Sequence, residues 1–533
     1  MLQFRSSATI RFLAGLAALP IIGGAPASQR PAAPSIAGQA KHADASSAAG
    51  VLILARHLDG GTRYATLTAG NGSFALSNAP DGRYAVSAAL VPSDTVSVSV
   101  AAGRPARADV TIRSAEPNAA MSSAHWLGRL SDGETKRKFI LDCSGCHQIT
   151  DRQTLKDGRP RTAAEWEADI KRMLGFAGAS TGFPVIAADR HAAETAAWVT
   201  RTASIVPNAA LATVTFDSSV ASITEYDMPM PNDLPHDVAI DSSGSVVITG
   251  MFSHTMYVLD PGSGRMSDVP LPVPNGGPRA VEVDARGHWW VLLGAGRQIG
   301  RYDTFLRQWR TWPIDMYPHS IGITGDRVWF NGHFTKDPEL IAELEPATGT
   351  ITKHELPPHP VLRTAGGPVP YELRLAPDGR VWMSELQGNR MIAFDPRTKE
   401  SRVYDMPVTW SGPRRFDIAP DGVLWIPAYS SNQLIRLDPT TGLTKAYALP
   451  QADAVPYVVR IDHVTRQVWI GTSAGDALIR FDPDNERFYV YPLPSRGALV
   501  RHMTIDPRNH DVWLAYGASP ATIPARIARV RLR

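Results

Sequence analysis

One pattern recurs seven times between residues 222 and 533. Each unit has a Pro-x start, an alternating strand, a turn, a second strand that usually carries Trp, and then a third and a fourth strand. First strands begin at Pro235-His236, Pro278-Arg279, Pro318-His319, Pro370-Tyr371, Pro413-Arg414, Pro456-Tyr457 and Arg501-His502, 40 to 52 residues apart. Second strands carry Trp289-Trp290, Trp329, Trp382, Trp425, Trp469 and Trp513. Four short strands cannot bury their apolar faces alone, so units of this length stack side by side into a ring. Seven of them predict an all-β seven-bladed propeller over 222–533. Ser222 to Pro229 reads as a fourth strand with no blade before it, and Ile527 to Leu532 as a third strand with no partner after it. Pairing the two would close the ring and remove an exposed edge.

The rest of the 533 residues is too much for a tail, so the chain is expected to be multidomain. A 44% apolar and 20% charged composition fits folded domains. A net charge of only +3 gives no basic patch, so no nucleic-acid partner is expected. Two cysteines exclude a disulfide scaffold and any four-thiolate metal site. At the N-terminus, Arg5 and Arg11 precede the apolar run Phe12 to Ile22, and Ala25-Pro26-Ala27 follows. This reads as a signal peptide over 1–27 and a periplasmic or secreted product. No later run is long enough for a membrane span. Residues 28–47, rich in Ala, Ser and Pro, read as a flexible linker.

From 48 to 115, runs alternating at period two (Val51 to Leu54, Tyr64 to Thr68, Ser73 to Leu76, Arg83 to Val86, Val96 to Val100) are separated by turn residues and predict a small β-sandwich. Thr66 to Tyr84, with a G-x-F strand and a later Pro80-x-Gly82-x-Tyr84, resembles carboxypeptidase regulatory-like domains of transthyretin-like fold. That resemblance implies packing or adhesion and no chemistry. Residues 121–204 switch to helical signals: Glu134 to Leu141, a capping box Thr162/Glu165 opening Ala163 to Leu174, and Asp189 to Arg201.

Within this stretch lies Cys143-Ser144-Gly145-Cys146-His147, the attachment signature of a c-type haem. Two thiols three positions apart can add to the two vinyl groups of one porphyrin, and the adjacent imidazole then lies under the iron as proximal ligand. The competing readings are a thioredoxin-like redox pair and a structural disulfide. One covalent haem c is the expected cofactor, held by Cys143, Cys146 and His147. Met173 is the first candidate for the distal iron ligand and His191 the next, the alternative for Met173 being core packing beside Trp166 and Ile170. Arg161 to Met173 resembles small cytochrome c domains, including those of quinohaemoprotein amine dehydrogenases, where R-T-x-x-E-W leads to an axial methionine. The resemblance implies an α-helical cytochrome c domain over 121–204.

The blades resemble the virginiamycin B lyase family, carried best by Gly367-Pro368 to Pro396, Gly412-Pro413 to Pro439 and Gln298 to Arg301. The resemblance implies a seven-bladed fold. In that family an elimination with a magnesium ion uses a P-H-x-I histidine and W-F-x-E glutamates. Here His319 fits the histidine, but its blade reads Trp329-Phe330-Asn331-Gly332. Glu385 fits the glutamate, but its blade carries Tyr371. His236 and His502 sit at first-strand starts whose blades offer Gly250 and Tyr516. No blade keeps the pair, so lyase activity is not expected. First-strand starts point at the central channel, so His236, Arg279, His319, Tyr371, Arg414, Tyr457 and His502 are expected as a ring at one mouth. The ring either lines a wet channel or, through His236, His319, His502 and Glu385, holds a ligand or a metal ion. Two functions remain. One is a haem protein passing electrons to or from a redox partner protein or a small-molecule substrate at the propeller. The other is a lyase-like or ligand-binding propeller with an accessory haem.

Overall fold

A computed structural model describes residues 34–101, 104–114, 122–181, 184–203, 221–333, 338–360, 369–519, 521 and 523–532. The expected signal peptide lies outside them. Among the described residues no helix is long and apolar enough to cross a membrane.

The described residues between 221 and 532 form seven blades of four antiparallel strands, six of them separate sheets. Six are contiguous in sequence and start at Pro235–Ile240, Pro278–Val283, Tyr317–Thr324, Pro370–Leu375, Asp417–Ile418 and Pro456–Ile461. The seventh joins Val500–Ile505, Val512–Tyr516 and Arg526–Leu532 to Ala221–Asp227, which pairs in register from Ala221↔Leu532 to Asp227↔Arg526. The predicted closure is what forms. The second-strand tryptophans are buried between blades, where their area stabilises the stack. The fifth blade departs from the pattern. Its first strand is cut to two residues, and Arg415 bridges to Val458 of the next blade instead.

Residues 28–47 are not a linker throughout. Pro34–His42 is a strand, central in a sheet with Ser73–Ser77 on one side and Ala106–Arg107 and Val110–Ile112 on the other. Ile36 and Ala40 alternate into the core with Phe74, Leu76 and Val110. The composition hid this strand because small residues can line a sandwich core as well as a linker. The second sheet, Arg63–Leu67, Leu52–His57, Gly82–Ala88 and Val96–Val100, does not end at the sandwich. Arg63–Leu67 pairs with Ala221–Asp227, so one eight-stranded sheet runs through sandwich and seventh blade. The blade edge is thereby covered.

Among the described residues of 123–203 there are five short helices: α1 (Ser123–Leu127), α2 (Glu134–Cys143), α3 (Asp151–Thr154), α4 (Ala163–Ala177) and α5 (Ala192–Ala203). Thr162 and Glu165 form the predicted capping box on α4. Trp126, Phe139, Trp166 and Trp198 pack at 5.5–6.2 Å between ring centres. This core is continuous with that of the propeller: Leu127, Phe139 and Leu141 share one cluster with Leu386, Tyr429, Val455 and Tyr457. Polar contacts pin the same face. Lys136 pairs with Asp453 at 2.8 Å, Arg137 donates to the Thr409 carbonyl at 2.8 Å, and Gln148 donates to Asp476 at 3.0 Å. The helices therefore lie on the propeller.

Candidate functional site

Helix α2 ends at Cys143, and the chain turns through Gly145 to Cys146 and His147. Cys143, Cys146, His147 and Met173 all line one cavity of about 520 Å³. Its other walls are mainly apolar and include Phe139, Ile149, Trp166, Ile170 and Ile186. Met173 reaches it from α4, on the face that also buries Trp166 and Ile170. His191 is exposed and does not line it. The two thiols are unpaired. Burial pushes the Cys143 thiol up to about 12, the reverse of the lowered value that a thiol–disulfide exchange nucleophile needs. Burial also lowers the His147 imidazole below its usual range, keeping it neutral. Its Nδ1–H donates to the Gln148 carbonyl at 2.9 Å, which fixes the tautomer with Nε2 free to ligate. Two cysteines three positions apart, a neutral oriented imidazole and a thioether around a mainly apolar cavity fit a c-type haem.

A second cavity of about 300 Å³ lies between this loop and the propeller. The two share Asp142, Cys146, Phe176, Val185 and Ser519. The loop is seated by the propeller: Arg501 Nη2 donates to the Cys146 carbonyl at 2.6 Å, and the Ser519 amide donates to the same oxygen at 3.0 Å. Gly145 packs on a propeller side chain, since a Cβ there would lie 2.6 Å from Arg414 Nη2. Asp142, next to the first cysteine, pairs with Arg190 at 2.6 Å and accepts from Gln387 at 3.0 Å.

His236, Arg279, Tyr371, Arg414 and Tyr457 face this second cavity as the ring predicts, but the ring is capped by the helices and all five are buried. His319 and His502 do not line it. Blades 3 and 7 present Tyr317, His333 and Arg501 there instead. In blade 7 the first strand starts at Val500, which pairs with Tyr516 as Pro456 pairs with Thr472 in blade 6, so Arg501 and not His502 holds the position of Tyr457. His319 lies against His333, with ring centres 4.3 Å apart, and its Nδ1 donates to the Tyr371 carbonyl at 2.6 Å. His502 Nε2 accepts from Arg460 at 2.7 Å. Nothing in the sequence marked His333, which lies at the end of the second strand of its blade, as a wall residue.

The channel below is filled by ion pairs: Arg415–Asp237 at 2.8 Å, Arg374–Glu372 at 2.9 Å and Arg460–Glu372 at 3.0 Å. Glu385 is fully buried, where Arg390 holds it with Nη2 to Oε1 at 3.1 Å. His236 and His502 both face Asp237, at 2.7 and 3.8 Å, while His319 and Glu385 are held by the Tyr371 carbonyl and Arg390. Among the described residues no group of three His, Cys, Asp or Glu is placed to hold a metal ion.

The sequence model of the Virginiamycin B lyase family matches residues 359–528. No curated protein matches the chain. Among solved structures, a virginiamycin B lyase from Staphylococcus aureus is 19% identical with a TM-score of 0.51, the superposition covering 59% of this chain and 100% of that one. A streptogramin B lyase is 22% identical with a TM-score of 0.52, covering 59% and 98%. At such identity the likeness speaks for the fold, and residues 221–532 are a virginiamycin B lyase-like β-propeller.

Proposed function

We propose that this chain is an exported c-type haem protein with electron transfer activity. In this reading the helical segment is a cytochrome c-like domain holding one covalent haem. The propeller mouth presents a redox partner or a small-molecule substrate to it. The observation that carries the reading is the convergence of Cys143, Cys146, His147 and Met173 on one apolar cavity that shares walls with the propeller mouth. Cys143 and Cys146 would form the thioethers, His147 the proximal bond and Met173 the distal one. A haem there supplies one-electron chemistry, which methionine ligation biases toward a high potential. The chain's own part is to exclude water with Trp166, Ile170 and Phe139, and to set the attachment loop on the propeller through Arg501. The sandwich, with Tyr84 donating to the Pro80 carbonyl at 2.7 Å inside the Pro80-x-Gly82-x-Tyr84 motif, is read as a carboxypeptidase regulatory-like packing module.

The lyase-like reading draws on the family match, but His319 and Glu385 are engaged by separate partners. The haem reading is tested by expressing the full chain with its leader in a host competent for cytochrome maturation. Haem stain persisting on the band after denaturing electrophoresis, and its loss in Cys143→Ala or Cys146→Ala, is the expected result. A colourless, iron-free protein from such a host would overturn it.

A further inference from the structure

The mouth cavity carries a charge imbalance that the haem reading leaves unused. Arg279, Arg414 and Arg501 line it against one carboxyl, Asp142, and Asp142 is committed to Arg190. Arg501 gives its donors to the Gly517, Gly145 and Cys146 carbonyls and to Tyr457. Arg414 and Arg279 are different. Each is 4% exposed, and neither makes an ion pair among the described residues, although Arg279 Nη1 donates to the Tyr317 hydroxyl at 3.0 Å. Arg414 Nε and Nη1, Arg279 Nε and His236 Nε2 are buried without a hydrogen-bond partner. Tyr371, Tyr429 and Tyr457 surround the Arg414 guanidinium at 5.0, 4.0 and 4.4 Å. Such rings attract the cation by their faces, but they satisfy none of its N–H groups.

A buried guanidinium without an anion is costly, so the cavity lacks a partner that a ligand can supply. The remaining wall is apolar (Leu386, Phe252, Phe176), and Phe176 and Phe252 are 58% and 38% exposed, which opens the cavity at that side. A porphyrin's propionates lie on the edge opposite its vinyl positions. Cations beside Gly145 and Cys146 are therefore not their clamp, while Arg152, Arg161 and Arg172 line the other cavity.

We propose that the mouth cavity binds a small organic carboxylate, with its charge on Arg414 and Arg279 and its apolar body against Phe176, Phe252 and Leu386. Its role as the redox substrate rests on the haem reading; the binding does not.

The test is calorimetric titration of the full-length matured protein with benzoate, with benzamide as the neutral isostere and sulfate as the inorganic anion. Benzoate is expected to saturate one site at least tenfold more tightly than either. Arg414→Gln and, separately, Arg279→Gln should each weaken it tenfold or more with an unchanged near-ultraviolet circular dichroism spectrum. Equal affinity for benzoate and benzamide, or no binding of either, would overturn the proposal. So would sulfate binding as tightly as benzoate, or folded variants that bind benzoate like the parent. Should a variant misfold, the benzoate–benzamide comparison on the parent decides. Heats of binding do not depend on colour. A colourless protein that binds benzoate would remove only the haem reading, and a coloured one that ignores benzoate only this proposal.

Discussion

Among the described residues, Met173 is the only thioether on the wall of the cysteine-lined cavity, so its replacement is a sharp probe. Met173→Ala should abolish the methionine-to-iron charge-transfer band of the oxidised protein and lower the midpoint potential. An unchanged band would move the distal ligand elsewhere. Asp476 offers a probe that needs no haem. Gln148 and the Ala498 amide both donate to its Oδ1, while Oδ2 has no hydrogen-bond partner. Burial raises this carboxyl to about 6. A carboxyl whose folded value exceeds its unfolded one favours folding below about pH 4, and that contribution fades as pH rises through about 6. The stability of Asp476→Asn relative to the parent should therefore rise between pH 4 and pH 7 by about 2–3 kcal/mol. A flat difference in urea midpoints over that range would refute the assignment. Among single residues, those tied by short spacing were legible: the C-x-x-C-H run and Met173 on one helix face need only local geometry. His502 was misplaced because the seventh blade lacks the proline that marks the other starts and begins at Val500, and His319 because its ring turns to His333 and the Tyr371 carbonyl, which strand spacing does not fix. The lack of a counter-charge for Arg414 could not be read at all, since an absent partner is a property of the folded neighbourhood.

The closing strand shows the same division among elements. An unmatched fourth strand at one end and an unmatched third at the other are complementary, so the pairing of Ala221–Asp227 with Arg526–Leu532 could be read directly. That the same strand also carries the sandwich on its far side could not, because nothing in the pattern of Arg63–Leu67 names its neighbour. Glu225 lies at this junction, fully buried. It accepts from the Tyr516 hydroxyl, from Ser495 Oγ at 2.8 Å and from the Ser495 amide at 3.2 Å, with Arg63 3.8 Å away. Glu225→Ala strands all of these donors in a dry site, which should cost about 2–4 kcal/mol. Denaturant titration should show a lower midpoint with an unchanged slope. A loss below about 0.5 kcal/mol, the size of an ordinary surface change, would mean the junction is not held by this carboxylate.

For the molecule as a whole, the shared core implies shared stability. Leu141 of α2 packs against the propeller at Gly412, which has φ +64° and whose Cβ, if present, would fall 2.5 Å from Leu141 Cδ1. Lys136, 5% exposed, spans to Asp453 across the same seam. If helices and propeller open as one unit, amides of α2 and of Val468–Thr472 should show the same opening free energy in hydrogen exchange under urea. Gly412→Ala combines backbone strain with overlap at the seam and should cost about 1–3 kcal/mol. Adding Lys136→Ala leaves the half-buried Asp453 without its cation. In that double variant α2 should open before the blade strands, by an amount near the summed losses. Were α2 already to open well before the blades in the parent protein, the helices would be a separable cap. The contacts of the attachment loop with Arg414 and Arg501 would then be intermittent, and the mouth cavity would be a gap that closes and opens with it.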